Sequence, residues 1–149
     1  MIRIIFEVLC AFAASASFGI AFQLRDKKLP AASATGALGW LTYLVFEYFG
    51  FSAISCSFFA TLVIAAVSEY LARRMHAPAT IFLAVSLIPL VPGSGLYDTM
   101  EYCISGQTML ASTTGLHTLG IAAALAMGIV VISSTVRILS LHESKSAEK

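Results

Sequence analysis

The sequence predicts an all-α, polytopic membrane protein: a helix bundle with about five transmembrane segments, of which the fourth is discontinuous. Hydrophobic residues make up 58% of the 149 residues and charged residues only 11%, whereas a soluble domain carries about a quarter charged residues. Several stretches without Asp, Glu, Lys or Arg reach the length of about 20 residues that a helix needs to cross a bilayer. Two prolines and two glycines interrupt the fourth stretch between residues 88 and 95.

The five segments are expected at residues 2–24, 30–46, 53–70, from residue 78 onward, and inside residues 102–136. Pro30 suits the first turn of the second helix, and Arg137 closes the fifth. The first segment has an alternative interpretation as a cleaved signal peptide, because Arg3 precedes an apolar run with small residues at positions 14–16. The apolar run continues past that point to a basic cluster, which favours a retained helix.

The distribution of basic residues predicts the orientation in the membrane, because Lys and Arg concentrate on cytoplasmic loops. Basic residues follow the first, third and fifth segments, while the turns at 47–52 and 98–107 contain none. We therefore expect a multi-pass membrane protein with its N-terminus outside and its C-terminus in the cytoplasm. Arg3 alone points mildly the other way. Residues 1–140 form the predicted membrane domain, and residues 141–149 a cytoplasmic polar tail.

The fourth segment holds the predicted binding site. Its fourteen residues from Pro78 to Val91 would reach only about 21 Å as a helix, and Ser94 is a candidate N-cap for a new helix. Irregular backbone at membrane depth is tolerated where it is buried in protein or lines a cavity, and a half-helix N-terminus attracts anionic groups. We expect a substrate carboxylate on the N–H groups of residues 94–96. The predicted substrate-binding residues are Pro92, Gly93, Ser94, Gly95, Leu96 and Tyr97. The alternative is a Pro-Gly turn at the outer membrane surface, with Asp98 and Glu101 capping a short helix.

The run Ile88-Pro-Leu-Val-Pro-Gly-Ser-Gly-Leu-Tyr97, together with the small-residue pattern at 34–40 on the second span, resembles the threonine/serine exporter family. The resemblance implies proton-driven export of threonine and serine. It also implies a transporter of two membrane halves, often encoded as separate proteins, of which this chain is similar to the smaller, C-terminal one. A larger N-terminal-half subunit is then the expected partner, and this half is not expected to transport alone.

Other residues receive narrower roles. Gly36 and Gly39 on the second span, and Gly115 and Gly120 on the fifth, have spacings that allow close helix packing. His117 has no charged neighbour in sequence and lies early in the fifth span, which makes it a candidate for proton coupling or a neutral hydrogen-bonded side chain. Asp98 is the second proton-coupling candidate. Glu7 can pair with Arg3, and Glu69 with Arg73, as ordinary helix-surface pairs.

Several function classes are disfavoured. Three isolated cysteines show no disulfide or metal-ligand spacing, so we expect no metal and no cofactor. A net charge of +1 without a basic block argues against nucleic acid as a partner. No Gly-x-Ser-x-Gly elbow supports a hydrolase, so an enzyme is not expected. The open alternatives are export of a dicarboxylate such as succinate, a non-transporting scaffold for the partner half, and a homo-oligomer.

Overall fold

The computed structural model describes the backbone of residues 2–147 and the side chains of residues 2–138. Within that range the chain is helical. The elements are α1 (Ile2–Ala21), α2 (Lys28–Tyr48), α3 (Ala53–Met75), α4 (Ala79–Leu87) with a 3₁₀ turn (Ile88–Leu90), α5 (Gly93–Ile104) and α6 (Thr108–Ala147). Helices α1, α2, α3 and the Thr108–Ile138 part of α6 are each long and apolar enough to cross a membrane. The predicted helix bundle with a broken fourth segment is confirmed.

The helix ends differ from the sequence expectation in ways that local chemistry explains. Helix α1 stops at Ala21, three residues early, because Gln23 takes a left-handed conformation with φ 59°. Helix α2 starts at Lys28, so Pro30 is its third residue and still lies in the first turn, where no intrahelical donor is required. Helix α3 continues to Met75 and ends at left-handed His76.

Helix α6 is longer than expected. Arg137 closes the apolar segment, and the helix itself continues to Ala147 and includes most of the predicted polar tail; residues 148–149 lie outside the described residues. A charged residue ends an apolar span without ending the helix, because residues such as Leu, Glu and Lys retain high helix propensity in water.

The turns between helices depend on a few residues. Gly50 between α2 and α3 and Gly106 between α5 and α6 have φ of 82° and 72°, a region that glycine enters without a steric penalty. The Ser52 side chain accepts a hydrogen bond from the N–H of Ser55 and caps α3.

Small side chains bring the helices together. Two buried clusters lie along the interfaces of α2, α3, α4 and α6, and α1 packs beside α2 and the 3₁₀ turn. Ser86 of α4 donates a hydrogen bond of 2.9 Å to the carbonyl of Ala32 in α2. In a bilayer such close packing and interhelical hydrogen bonding replace the hydrophobic effect as the source of helix association.

The direction of the helices settles how the broken segment crosses the membrane. Gly120 of α6 lies against Ile54 of α3, and Gly128 lies against Thr61, so α3 and α6 run in the same direction. A re-entrant segment would return the chain to the side where α3 ends and make α6 antiparallel to α3. The α4–α5 pair, bent by 58°, therefore connects opposite ends of the bundle as a single broken span would, and counting the pair as one span gives five candidate spans.

Candidate functional site

The break in the fourth span lies between the 3₁₀ turn and α5. Pro89 sits inside the 3₁₀ turn, and Pro92 precedes α5 without a side-chain cap. Helix α5 begins at Gly93, so Ser94 is its second residue and not its N-cap, which corrects the sequence expectation. Proline cannot donate a helical hydrogen bond and constrains the residue before it, which explains why the helix stops before Pro92 and restarts after it.

A cavity of about 380 Å³ opens beside the break. It combines the interrupted backbone with side chains from α2, α3 and α6. Its lining residues are Trp40, Tyr43, Ser57, Pro89, Leu90, Val91, Pro92, Gly93, Ser94 and Ile121. The Trp40 and Tyr43 rings stack with centroids 5.3 Å apart. Small-molecule sites occupy about 300 to 1,000 Å³, so this cavity suits a small solute.

The cavity lies below the end of the bundle that the α2–α3 turn forms. Ser57 is the fifth residue of α3, and Trp40 is eight residues before the end of α2. At a rise of 1.5 Å per residue, these side chains lie roughly 6 to 12 Å inside the helix ends. The irregular backbone is thus within the spans, where it is tolerated because it lines a cavity.

The N-terminus of α5 presents backbone donors at this place. The N–H of Gly93 bonds the carbonyl of Val91 at 2.7 Å, and the N–H of Leu96 bonds Pro92 at 3.1 Å. Among the described residues no acceptor is in hydrogen-bonding position for the N–H groups of Ser94 and Gly95. These two donors, at the positive end of a helix, can bind an anionic group.

The structure divides the six predicted substrate-binding residues into two groups. Pro92, Gly93 and Ser94 line the cavity. No neighbouring heavy atom lies within 4 Å of the position that a Cβ atom on Gly93 would take. Gly95 instead packs directly on Thr118 of α6, and Leu96 and Tyr97 are exposed and lie outside the lining.

The four glycines expected at helix contacts all lie against a neighbouring helix. A Cβ atom on Gly36 would collide with Ser15 of α1, and one on Gly39 with Ile64 of α3. A Cβ atom on Gly115 would lie 3.1 Å from the methyl group of Thr99 in α5, and one on Gly120 would lie 2.8 Å from Ile54 of α3.

The two candidate proton-coupling residues lie away from the cavity. Asp98 is partly buried on α5, and His117 is exposed on α6. Neither lines the cavity, and within residues 2–138 neither has a hydrogen-bond or ion-pair partner. Because Gly95 packs on Thr118, just before the level where α3 begins, Asp98 lies beyond the N-terminal end of α3.

Sequence reasoning missed the side chains that complete the cavity: Trp40, Tyr43, Ser57 and Ile121. They come from three helices, and no local motif connects them. A weak signal was available for Trp40, the one tryptophan of the chain, because a polar indole N–H inside an apolar span needs a partner. In the structure this N–H is buried without a hydrogen-bond partner among the described residues.

Comparison with known proteins assigns the chain to a family. The family described as "Threonine/Serine exporter, ThrE" matches residues 7–135. This chain belongs to the threonine/serine exporter family. An uncharacterized protein of Haemophilus influenzae (strain ATCC 51907 / DSM 11121 / KW20 / Rd) is 27% identical over 100 residues. The alignment covers 67% of this chain and 34% of that relative, so it spans about a third of the relative's length. No solved structure matches.

Family membership and the fold agree at a coarse level. This exporter-family chain is a multi-pass helical membrane protein of a transporter type, and the matched residues include the broken span and every residue that lines the cavity. Within the residues that the structure describes, no group of three His, Cys, Asp or Glu side chains could hold a metal ion.

Proposed function

We propose that this chain is one half of a secondary-active exporter of small amino acids, threonine or serine, and that the substrate binds in the cavity at the break of the fourth span. The observation that carries the proposal is the cavity itself: an interrupted helix whose free N–H groups and flanking side chains enclose a volume suited to a small solute. Discontinuous helices form the substrate sites of many transporters.

The lining supports a zwitterionic substrate over a dicarboxylate. None of the ten lining residues is charged, so a second carboxylate would find no cation there. One carboxylate can bind the N–H groups at the start of α5. The hydroxyl of Ser57 donates to Ala53 at 2.8 Å and keeps its lone pairs, so it can accept a hydrogen bond from the ammonium or hydroxyl group of the substrate.

We further propose that transport is coupled to protons and requires a larger partner half, in a bacterial cytoplasmic membrane with the C-terminus inside. The basic residues of the loops support this orientation. Two observations support the partner: the longer Haemophilus influenzae relative, of which the alignment covers only 34%, and the exposed small and apolar residues along α5 and the start of α6.

The test uses the two halves purified together and reconstituted in liposomes. Gly93→Val should reduce threonine and serine transport at least tenfold, because the new side chain enters open cavity space beside the α5 donors. Ser94→Ala should have a smaller effect, because the backbone donors remain. Substrate counterflow with radiolabelled threonine, serine and succinate measures both the effect and the specificity.

Assembly is the necessary control, because a folding defect would imitate a lost site. Each variant must co-purify with the partner half in the wild-type ratio. Normal transport by an assembled Gly93→Val complex would place the substrate elsewhere. Preferred counterflow of succinate would mean that the substrate is a dicarboxylate. If transport by assembled complexes depended only on residues of the partner half, this chain would be a scaffold.

A further inference from the structure

A second cavity of about 270 Å³ adjoins the first. It is formed by one face of α1 together with α2 and the 3₁₀ turn, and its lining residues are Phe6, Glu7, Cys10, Ala11, Ala14, Trp40 and Pro89. Trp40 and Pro89 also line the cavity at the break. The two cavities therefore share a wall, with α1 on one side and α3 and α6 on the other.

Glu7 is the one carboxylate in the lining of this second cavity. Helices α1 and α2 are antiparallel, and Ser15 lies against Gly36. Counting eight residues outward from this contact on each helix brings Glu7 to the level of Leu44, between Trp40 and the end of α2. The Glu7 carboxylate is thus at the depth of the substrate cavity, whereas Asp98 lies beyond the N-terminal end of α3.

Glu7 forms an ion pair with Arg3 on the same helix. The guanidinium of Arg3 donates to Glu7 at 2.7 Å, and the side chain of Arg3 is 89% exposed while that of Glu7 is 25% exposed. The Cys10 thiol lines the same cavity, and Glu47 of α2 is close enough to interact electrostatically with Arg3. The α4 helix and the 3₁₀ turn contain no titratable residue.

Trp40 is the aromatic side chain that, together with Pro89, lines both cavities. Its ring lines both of them and stacks on Tyr43. Its indole N–H is buried without a partner among the described residues, a state that costs free energy until the donor finds an acceptor. A small rotation of the ring would change the shape of both cavities together.

We propose that Glu7 is the group that binds and releases the coupling proton, and that Trp40 is the positioning residue that links its protonation to the substrate cavity. The inference rests on the proposed function, since it assigns the coupling step of the same transporter. In the ionised state the carboxylate pairs with Arg3. Uptake of one proton converts it to the neutral acid and removes the ion pair with Arg3. This changes the charge in the cavity that Trp40 also lines. Ionisable residues inside membrane spans are rare and commonly functional.

The experiment compares two modes of transport by the complex of both halves in liposomes. In exchange mode, labelled threonine moves against unlabelled threonine without a pH gradient. In driven mode, an imposed pH gradient accumulates threonine. Glu7→Gln should retain exchange within twofold of the wild-type rate and lose accumulation at least tenfold, because a carboxamide fills the same space and carries no proton.

Three further variants separate coupling from structure. Arg3→Gln also breaks the ion pair but keeps the Glu7 carboxylate, so it should retain accumulation. Trp40→Phe keeps a ring and removes the N–H, and it should lower the accumulation ratio more than the exchange rate. Asp98→Asn should leave both modes unchanged.

The outcomes distinguish failure of this inference from failure of the proposed exporter function. Accumulation by Glu7→Gln at the wild-type level, or its loss in Asp98→Asn with exchange intact, would overturn the assignment and leave the exporter function standing. Loss of both modes in an assembled Glu7→Gln complex would also overturn it, because Glu7 would then belong to substrate binding or folding. Absence of threonine exchange in the wild-type complex would instead refute the proposed function itself.

Discussion

At the residue scale, two glycines with similar sequence surroundings have opposite structural roles. Gly93 and Gly95 both belong to the Pro-Gly-Ser-Gly run, and the sequence places them together in one predicted site. The structure separates them: Gly93 faces open cavity space, whereas Gly95 holds α5 directly against Thr118 of α6. The difference depends on which face of α5 meets α6, and no local pattern in the run reveals that face.

The same substitution at these two positions should therefore separate function from stability. Gly95→Val should lower the stability of the detergent-solubilised protein by about 1 to 3 kcal/mol, the usual cost of overpacking a tight contact. Gly93→Val should leave the thermal midpoint close to wild type, because its side chain meets no neighbour. Thermal unfolding followed by circular dichroism is the measurement. Equal losses for both variants would contradict the assignment of Gly93 to open space.

At the element scale, the sequence predicts those features that local chemistry determines. The interruption near Pro89 and Pro92 was predictable, because proline constrains its own φ and removes a donor wherever it occurs. The N-cap was predicted two residues late, since Ser94 has the preferred side chain yet the helix already begins at Gly93. The cavity side chains on α2, α3 and α6 were not predictable, because they depend on how separate helices pack.

Replacing both prolines of the break tests its physical cause. The double variant Pro89→Ala/Pro92→Ala restores two backbone donors and should favour one continuous helix through α4 and α5. The bend of 58° should then decrease, so the distance between spin labels at Ile81 and Met100 should lengthen in double electron–electron resonance spectra, and transport should fall. Pro30→Ala, in the first turn of α2, is the matched control and should change neither. An unchanged distance in the double variant would assign the bend to packing on α6.

At the scale of the whole molecule, the parallel direction of α3 and α6 fixes an odd number of crossings between the N-terminus of α1 and the C-terminus of α6. The basic residues of the sequence predicted the same alternation independently. What they could not reveal is the relative height of the helices. Gly120 lies beside Ile54, near the start of α3. The first residue of α6, Thr108, therefore lies about 18 Å beyond that level.

The topology has a direct test with single cysteines in a variant lacking the three native ones. A cysteine at Met75 should react with a membrane-impermeant thiol reagent only after cells are permeabilised, whereas one at Gln107 should react in intact cells. The physical reason is the pair of basic residues in the last turn of α3, Arg73 and Arg74, and the absence of basic residues from the α5–α6 turn. Labelling of both positions from the same side would refute the five-span arrangement.

The α5–α6 hairpin that projects past α3 gives the structural argument for a partner. Its apolar surface lies beyond the level at which α3 begins and is exposed in this chain. The exposed apolar residues there include Leu96, Tyr97, Met100, Ile104, Met109 and Leu116. Contiguous apolar surface of this kind marks an interface, and the larger half that the family relationship leads us to propose is the occupant we expect.

Export should consequently depend on both halves. Cells that express this chain alone should show no threonine or serine export above background, and co-expression of the larger half should restore it. Replacing Tyr97, Met100 and Ile104 together by serine should weaken co-purification of the halves, because these side chains lie on the exposed surface of α5 and contribute nothing to the core of this chain. The matched control replaces Ile4, Ile5 and Leu9 of α1, exposed on another face. Robust export by the purified chain alone, with native mass spectrometry showing a homo-oligomer, would mean that a second copy takes the place of the larger half.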